Sequence, residues 1–166
     1  MLSNETIQVV YPGAVGTEDS PFDVDHDSYK TFRHGCGWAV TKSYLRFIRI
    51  EVDATVGEDA LSSTANSYRT DEENLKRTTF FSPVEGNREQ PNLGDEAHIV
   101  YGIDPERCRS ARLLIRSKNA TLDVLYGGCD SSEETANLAI TPISETALLN
   151  GVLTVARDAL RNLDRA

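Results

Sequence analysis

Two stretches of alternating hydrophobicity, 111–117 and 120–126, flank Lys118-Asn119 in the sequence ERCRSARLLIRSKNATLDVLYGGCD. No other feature constrains the fold of this 166-residue chain as tightly. A turn centred on Lys118-Asn119 suits the left-handed backbone that Asn tolerates. It faces Leu113 with Val124 and Ile115 with Leu122, so the apolar residues share one face of a ribbon. Widening the loop from two residues to four leaves these pairs unchanged. Followed to its base, the same register faces Cys108 with Cys129. Pair types alternate along a hairpin, and this position falls in a non-hydrogen-bonded pair, where Cα atoms lie roughly 4.5 Å apart and within reach of a disulfide.

The competing reading is two buried free thiols. Gly127-Gly128 could bulge and shift the register by one residue. A bonded pair points to an oxidising compartment, because persistent disulfides belong there. Cys36, in HGCGW, has three open fates: free, paired with one of the other two, or separated from a mate upstream.

The rest of the chain supplies more strands and two helices. Residues 1–35 are rich in Gly, Pro, Asp and Ser. They read as a flexible segment with an edge strand at 7–11 followed by a long loop. GWAVTKSYLRFIRIEVD, 37–53, reads as two strands and a turn, with one slip of phase at Phe47-Ile48. Residues 57–76 form a weak amphipathic helix whose middle, Ser62 to Ser67, has poor helical propensity and is expected to fray or break. Pro83, Gly86, Pro91 and Gly94 mark a polar loop over 83–95, and Ala97 to Tyr101 reads as a strand. The last helix begins at the capping Ser144 and carries the stripe Leu148, Val152, Val155, Ala156, Ala159, Leu160 and Leu163. Antiparallel strands with two helices make an α+β fold, an antiparallel sheet with helices packed on it, over a single domain at 36–166.

Composition narrows the partners. A formal net charge of −9 opposes binding to nucleic acid or to an anionic membrane surface. No apolar run approaches the ~20 residues of a spanning helix. MLSNETIQ lacks the basic and apolar stretches of a signal peptide, so an exported form is expected to have lost its leader.

Motifs for chemistry are sparse. Asp23, Asp25 and Asp27 have the spacing of the first calcium-loop positions, but Ser28 and His34 stand where that loop needs Gly and Glu. His34 and Cys36 share a strand face and could serve as base and nucleophile, oriented by an Asp of 23–27. As a zinc signal they lack a second pair. His98 reads as structural. No cofactor, metal site or catalytic residue is expected.

The order of motifs carries a resemblance. CGW (36–38) precedes the strand LRFIRIEVD, then come a helix, LGDEA (93–97), the R-x-x-N hairpin at 116–119 and an Ala/Leu-rich final helix. Over about residues 30 to 165 the chain resembles actinobacterial secreted or lipid-anchored proteins of unknown function, related to the extracytoplasmic sensor domains of mycobacterial Ser/Thr kinases. The resemblance implies a PsbP-like sandwich, export, and in the full-length protein a lipid anchor on an N-terminal cysteine. The chain departs from that pattern in having no cysteine before Cys36 and no lipobox.

The leading expectation is a non-enzymatic, extracytoplasmic binding or sensor-like domain for a small ligand or a cell-envelope protein. Trp38, Tyr101, Tyr126 and the loop 83–95 are its candidate ligand contacts. The first rival is a thiol- or metal-dependent enzyme using Cys36, His34 and the acidic segment 23–27. The second is an interaction subunit of an envelope assembly.

Overall fold

The computed structural model describes residues 2–10, 12–19, 21–41, 44–132 and 139–163. In chain order they form α1 (Asn4–Val10), β1 (Val15–Glu18), β2 (Phe22–Asp25), β3 (Tyr29–Thr41), β4 (Tyr44–Gly57), α2 (Ala60–Lys76), β5 (Val84–Glu89), β6 (Glu96–Ile103), β7 (Arg109–Ser117), β8 (Ala120–Ser132), β9 (Ala139–Pro142) and α3 (Glu145–Leu163). The strands make one antiparallel sheet in the order β1-β3-β4-β8-β7-β6-β5. β2 continues the line of β1 along β3, and β9 continues the line of β7 along β8. The fold is therefore the α+β sandwich that the hairpin and helix patterns anticipate.

The β7–β8 ribbon runs without a register shift from Ser117 opposite Ala120 to Arg109 opposite Gly128. Gly127-Gly128 does not bulge, and the bond between Cys108 and Cys129 closes the base with Cα atoms 4.8 Å apart. The turn differs from expectation in one respect. Lys118, at φ 54°, takes the left-handed position. Asn119 instead donates its side-chain amide to the Thr55 carbonyl at 2.6 Å and accepts from the Thr55 amide at 2.8 Å. Lys118 N–H donates to Asp95 at 2.7 Å, so the turn is tied to both flanking parts of the sheet.

Each face buries its own cluster. On one, Ile48, Ile50, Ile99, Leu113, Ile115, Leu122 and Val124 meet α3 through Leu148, Val152, Val155, Ala156 and Ala159. Burying each such Leu or Val contributes about 1.5–3 kcal/mol. Ser144 caps α3 as expected, accepting the Ala147 amide at 3.2 Å. On the opposite face a smaller cluster joins Tyr68 and Leu75 of α2 to Phe81, Val100 and Leu114.

The N-terminal third departs most from the sequence reading. The strand expected at 7–11 is helical over 4–10, because Ser3 caps the segment by accepting the Thr6 amide at 3.2 Å. Ile7 and Val10, three apart, then share a face against the core. The expected long loop carries β1, β2 and the start of β3, and the expected boundary at residue 35 falls inside β3. β1 and β2 are four residues each and largely exposed, so neither shows the alternation that betrays a strand. The loop expected at 83–95 contains β5. The break expected within α2 is absent: the helix runs continuously over Ala60–Lys76.

α1 is fastened to α3 through Asp158, which is buried and accepts from the Ser3 amide at 2.7 Å and from Arg161 at 3.2 Å. Burial pushes this carboxyl up. The Ser3 and Thr6 donors and the Arg161 charge outweigh it and hold the carboxyl below its ordinary 3.8. Its contribution to stability is thus present above that value and is lost as pH falls through the folded value. Asp158→Asn should flatten the acid limb of a stability–pH profile, measured by urea unfolding at a series of pH values. The denatured, unreduced protein should release one titratable thiol, from Cys36, and not three. Replacing Cys108 and Cys129 together by Ser, which opens a sequence separation of 21 residues, should cost about 3 kcal/mol, read from the urea midpoint.

Candidate functional site

The three aromatics expected at a binding site lie on a single transverse row of the sheet. Tyr101 faces Ala111, Ala111 faces Tyr126, Tyr126 faces Ile48 and Ile48 faces Trp38. Tyr101 and Tyr126 are buried and Trp38 is half-buried. Each ring lies against a glycine: Trp38 on Gly16, Tyr101 on Gly86, and Tyr126 on Gly151 of α3, where a Cβ would stand 2.0 Å from the phenol oxygen. Tyr101 donates its hydroxyl to Glu145 at 2.6 Å and accepts from Arg88 at 3.1 Å, fixing the start of α3 over β6. Tyr101 and Tyr126 lie in the core beneath α3, Trp38 packs against that core from β3, and none of the three lines the cleft described next.

That cleft opens on the opposite face, between α2 and the outer strands, with a volume of 780 Å³. Its floor comes from residues that alternation turns away from the α3 core: Thr31 and Arg33 on β3, Asp53 and Thr55 on β4, and Thr121 on β8. Its wall is one side of α2, where Ser63, Asn66, Ser67, Thr70 and Asp71 recur at helical spacing. These side chains are too small and too polar to close onto the sheet as Tyr68 and Leu75 do. The residues that weaken α2 in propensity are therefore largely the ones that hold the cleft open, and capture of α2 by the second core offsets their cost.

Charge in the cleft is mostly acidic. Arg33 is paired side-on with Asp53, its Nε and Nη2 donating at 2.7 and 2.6 Å, so this edge of its guanidinium is already engaged. Asp59 and Asp71 bring further carboxylates. Burial first, then Asp123 and Asp53, push the Asp71 carboxyl up, while Arg112 and Arg33 pull it back. His26 stacks on Tyr29 at 4.2 Å and forms an aromatic rim. Thr64, 2% exposed, lines the wall with a hydroxyl that has no partner among the described residues. Hydroxyls, an amide and uncompensated carboxylates suit a hydrophilic ligand that is neutral or cationic; they oppose an anion.

The other sequence candidates are placed as follows. Asp23 and Asp25 lie on β2, each 3.5 Å from Lys30, in a hairpin and not in a cation-binding loop. His34 and Cys36 do meet, Nε2 to Sγ at 3.5 Å, on the α3-side face of β3. The carboxylate that joins them is Glu18 of β1, paired opposite Cys36, and not one from 23–27. Burial, then Glu18 and Asp19, push the Cys36 thiol up, the opposite of what a thiolate nucleophile needs. His98 is structural in its contacts, with Nε2 2.7 Å from the Asn87 side-chain oxygen and Nδ1 3.3 Å from Glu72. Burial, then Lys76, hold its pKa low against Glu72 and Glu89. The expected rim 83–95 lies partly in a second cleft of 330 Å³, where Gln90 to Ala97 face Tyr68, Glu72 and Lys76 of α2.

The polar wall of α2 carries no apolar periodicity, which is why sequence reading passed over it. Because the folded Asp71 carboxyl stands above its ordinary 3.8, the contribution of Asp71 to stability is lost as pH rises from that value through the folded one, opposite in sign to that of Asp158. Asp71→Asn should remove this slope and leave stability at neutral pH undiminished, as measured by denaturant midpoints across the acid range. Compared with protein-family models, with curated proteins and with solved structures, the chain finds no match.

Proposed function

We propose that this protein is a non-enzymatic, extracytoplasmic binding or sensor-like domain that takes a hydrophilic small molecule, neutral or cationic, in the cleft under α2. One observation carries the reading: a helix that sacrifices propensity and packing along Ser63, Asn66, Ser67 and Thr70 to keep 780 Å³ of space open over the Arg33–Asp53 pair. Sequence and structure depart from mutual consistency chiefly where function requires it. The Cys108–Cys129 bond fits an oxidising compartment. The resemblance to envelope sensor domains points to the same location.

Titrating amino sugars, neutral oligosaccharides and small diamines into isotopically labelled protein tests this. Amide shifts should concentrate at Thr31, Asp53, Ser63 and Ser67, and saturating ligand at ~100 times Kd should add about 2.7 kcal/mol to stability. Ser67→Trp should fill the cleft and abolish the shifts while the fold melts normally. Shifts confined to other faces would overturn the assignment, and a chemically altered ligand would replace binding by catalysis.

A further inference from the structure

We infer that Glu18, His34 and Cys36 form a binding site for a zinc-class divalent cation at the β1–β3 edge. β-sheet geometry brings the three together. Glu18 and Cys36 are directly opposed across the antiparallel pair, and His34 lies two residues from Cys36 on the same face. One donor atom from each falls within 4.8 Å of the other two. Sγ and Nε2 stand 3.5 Å apart. Zinc bond lengths of about 2.3 Å to sulfur and 2.0–2.1 Å to nitrogen, at a tetrahedral angle, put two such ligands about 3.5 Å from each other. The thiol and imidazole thus already hold the separation a bound ion would impose. Glu18 is exposed, and its carboxylate can swing the remaining distance.

The donor set is chemically selective. A thiolate and an imidazole prefer zinc and its neighbours to calcium or magnesium, which take oxygen ligands. Three protein ligands leave the fourth tetrahedral position to solvent, which reaches the site from the exposed Glu18 side. Binding releases the thiol proton to water. Cys36 is buried at 5% exposure, so the ion would be anchored from inside the sheet and capped from β1. It would add a further tie to a four-residue strand that its ladder to β3, the Thr17 hydroxyl on the Gly37 carbonyl and the Trp38 ring on Gly16 already hold. The pair His34-x-Cys36 alone is a poor zinc signal; the ligand that completes it is sixteen residues upstream of His34 on another strand.

The test uses the whole chain with its disulfide intact and Cys36 confirmed as one free thiol. Co²⁺ should bind at one equivalent with a thiolate-to-metal band in the near ultraviolet, and Zn²⁺ should displace it. Bound Zn²⁺ should protect Cys36 from iodoacetamide. Cys36→Ser should remove the thiolate band. Glu18→Gln and His34→Gln should each weaken Zn²⁺ affinity at least about tenfold. Glu18 is exposed, so its variant keeps the proposal testable even if substitution at the buried cysteine disturbs folding. Absence of stoichiometric uptake by the wild type in that state, or uptake unchanged in both Glu18→Gln and His34→Gln, would overturn the site.

Discussion

The pairing of β7 with β8 organises the rest of the molecule. Once Leu113 faces Val124 and Ile115 faces Leu122, one face of the ribbon is committed to α3 and the other to α2. A slip of one residue would reverse both assignments at once. The Cys108–Cys129 bond at one end guards against that slip, and the anchoring of Asn119 and Lys118 guards against it at the other. β8 then passes the register to β4, and β4 to β3, so the cleft floor and the Glu18–His34–Cys36 cluster both inherit their geometry from it.

The two helical layers behave differently against this sheet. α3 presents an unbroken apolar stripe and seals its face; four of its side chains have no solvent exposure. α2 buries Tyr68 and Leu75 against Phe81, Val100 and Leu114, and is polar where it faces Arg33, Asp53 and Thr55 across the cleft. One helix therefore secures the fold while the other leaves a hydrophilic gap. The resulting division of labour, a sealed core on one side and an open wall on the other, gives the cleft a rigid base.

Much of this was legible in the sequence because it rests on local periodicity. The ribbon, its sulfur pair, the capped last helix and the strand at 97–101 all follow from patterns of two or 3.6. The slip of phase at Phe47-Ile48 is real as a change of apolar face: β4 pairs with β8 continuously through it. The illegible parts depend on long-range partners. β1 and β2 are strands because β3 is long enough to hold both, a fact no window of four exposed residues can contain. Glu18 joins His34 and Cys36 only through that pairing. The aromatics Trp38, Tyr101 and Tyr126 invite a ligand when read singly, and only their glycine partners, tens of residues away for Tyr126 and Trp38, reveal where the rings go.

The tandem arrangement of β1 and β2 has a consequence for how the protein behaves in a crowd. A thirteen-residue β3 with a bare outer side would present a long row of unpaired amides and carbonyls to any neighbouring chain. Two short segments cover it in succession, and the margin they leave is broken between Glu18 and Phe22 and studded with Asp and Glu. A foreign strand finds no uninterrupted template there, so the molecule discourages self-stacking into fibres at the side where its longest strands lie.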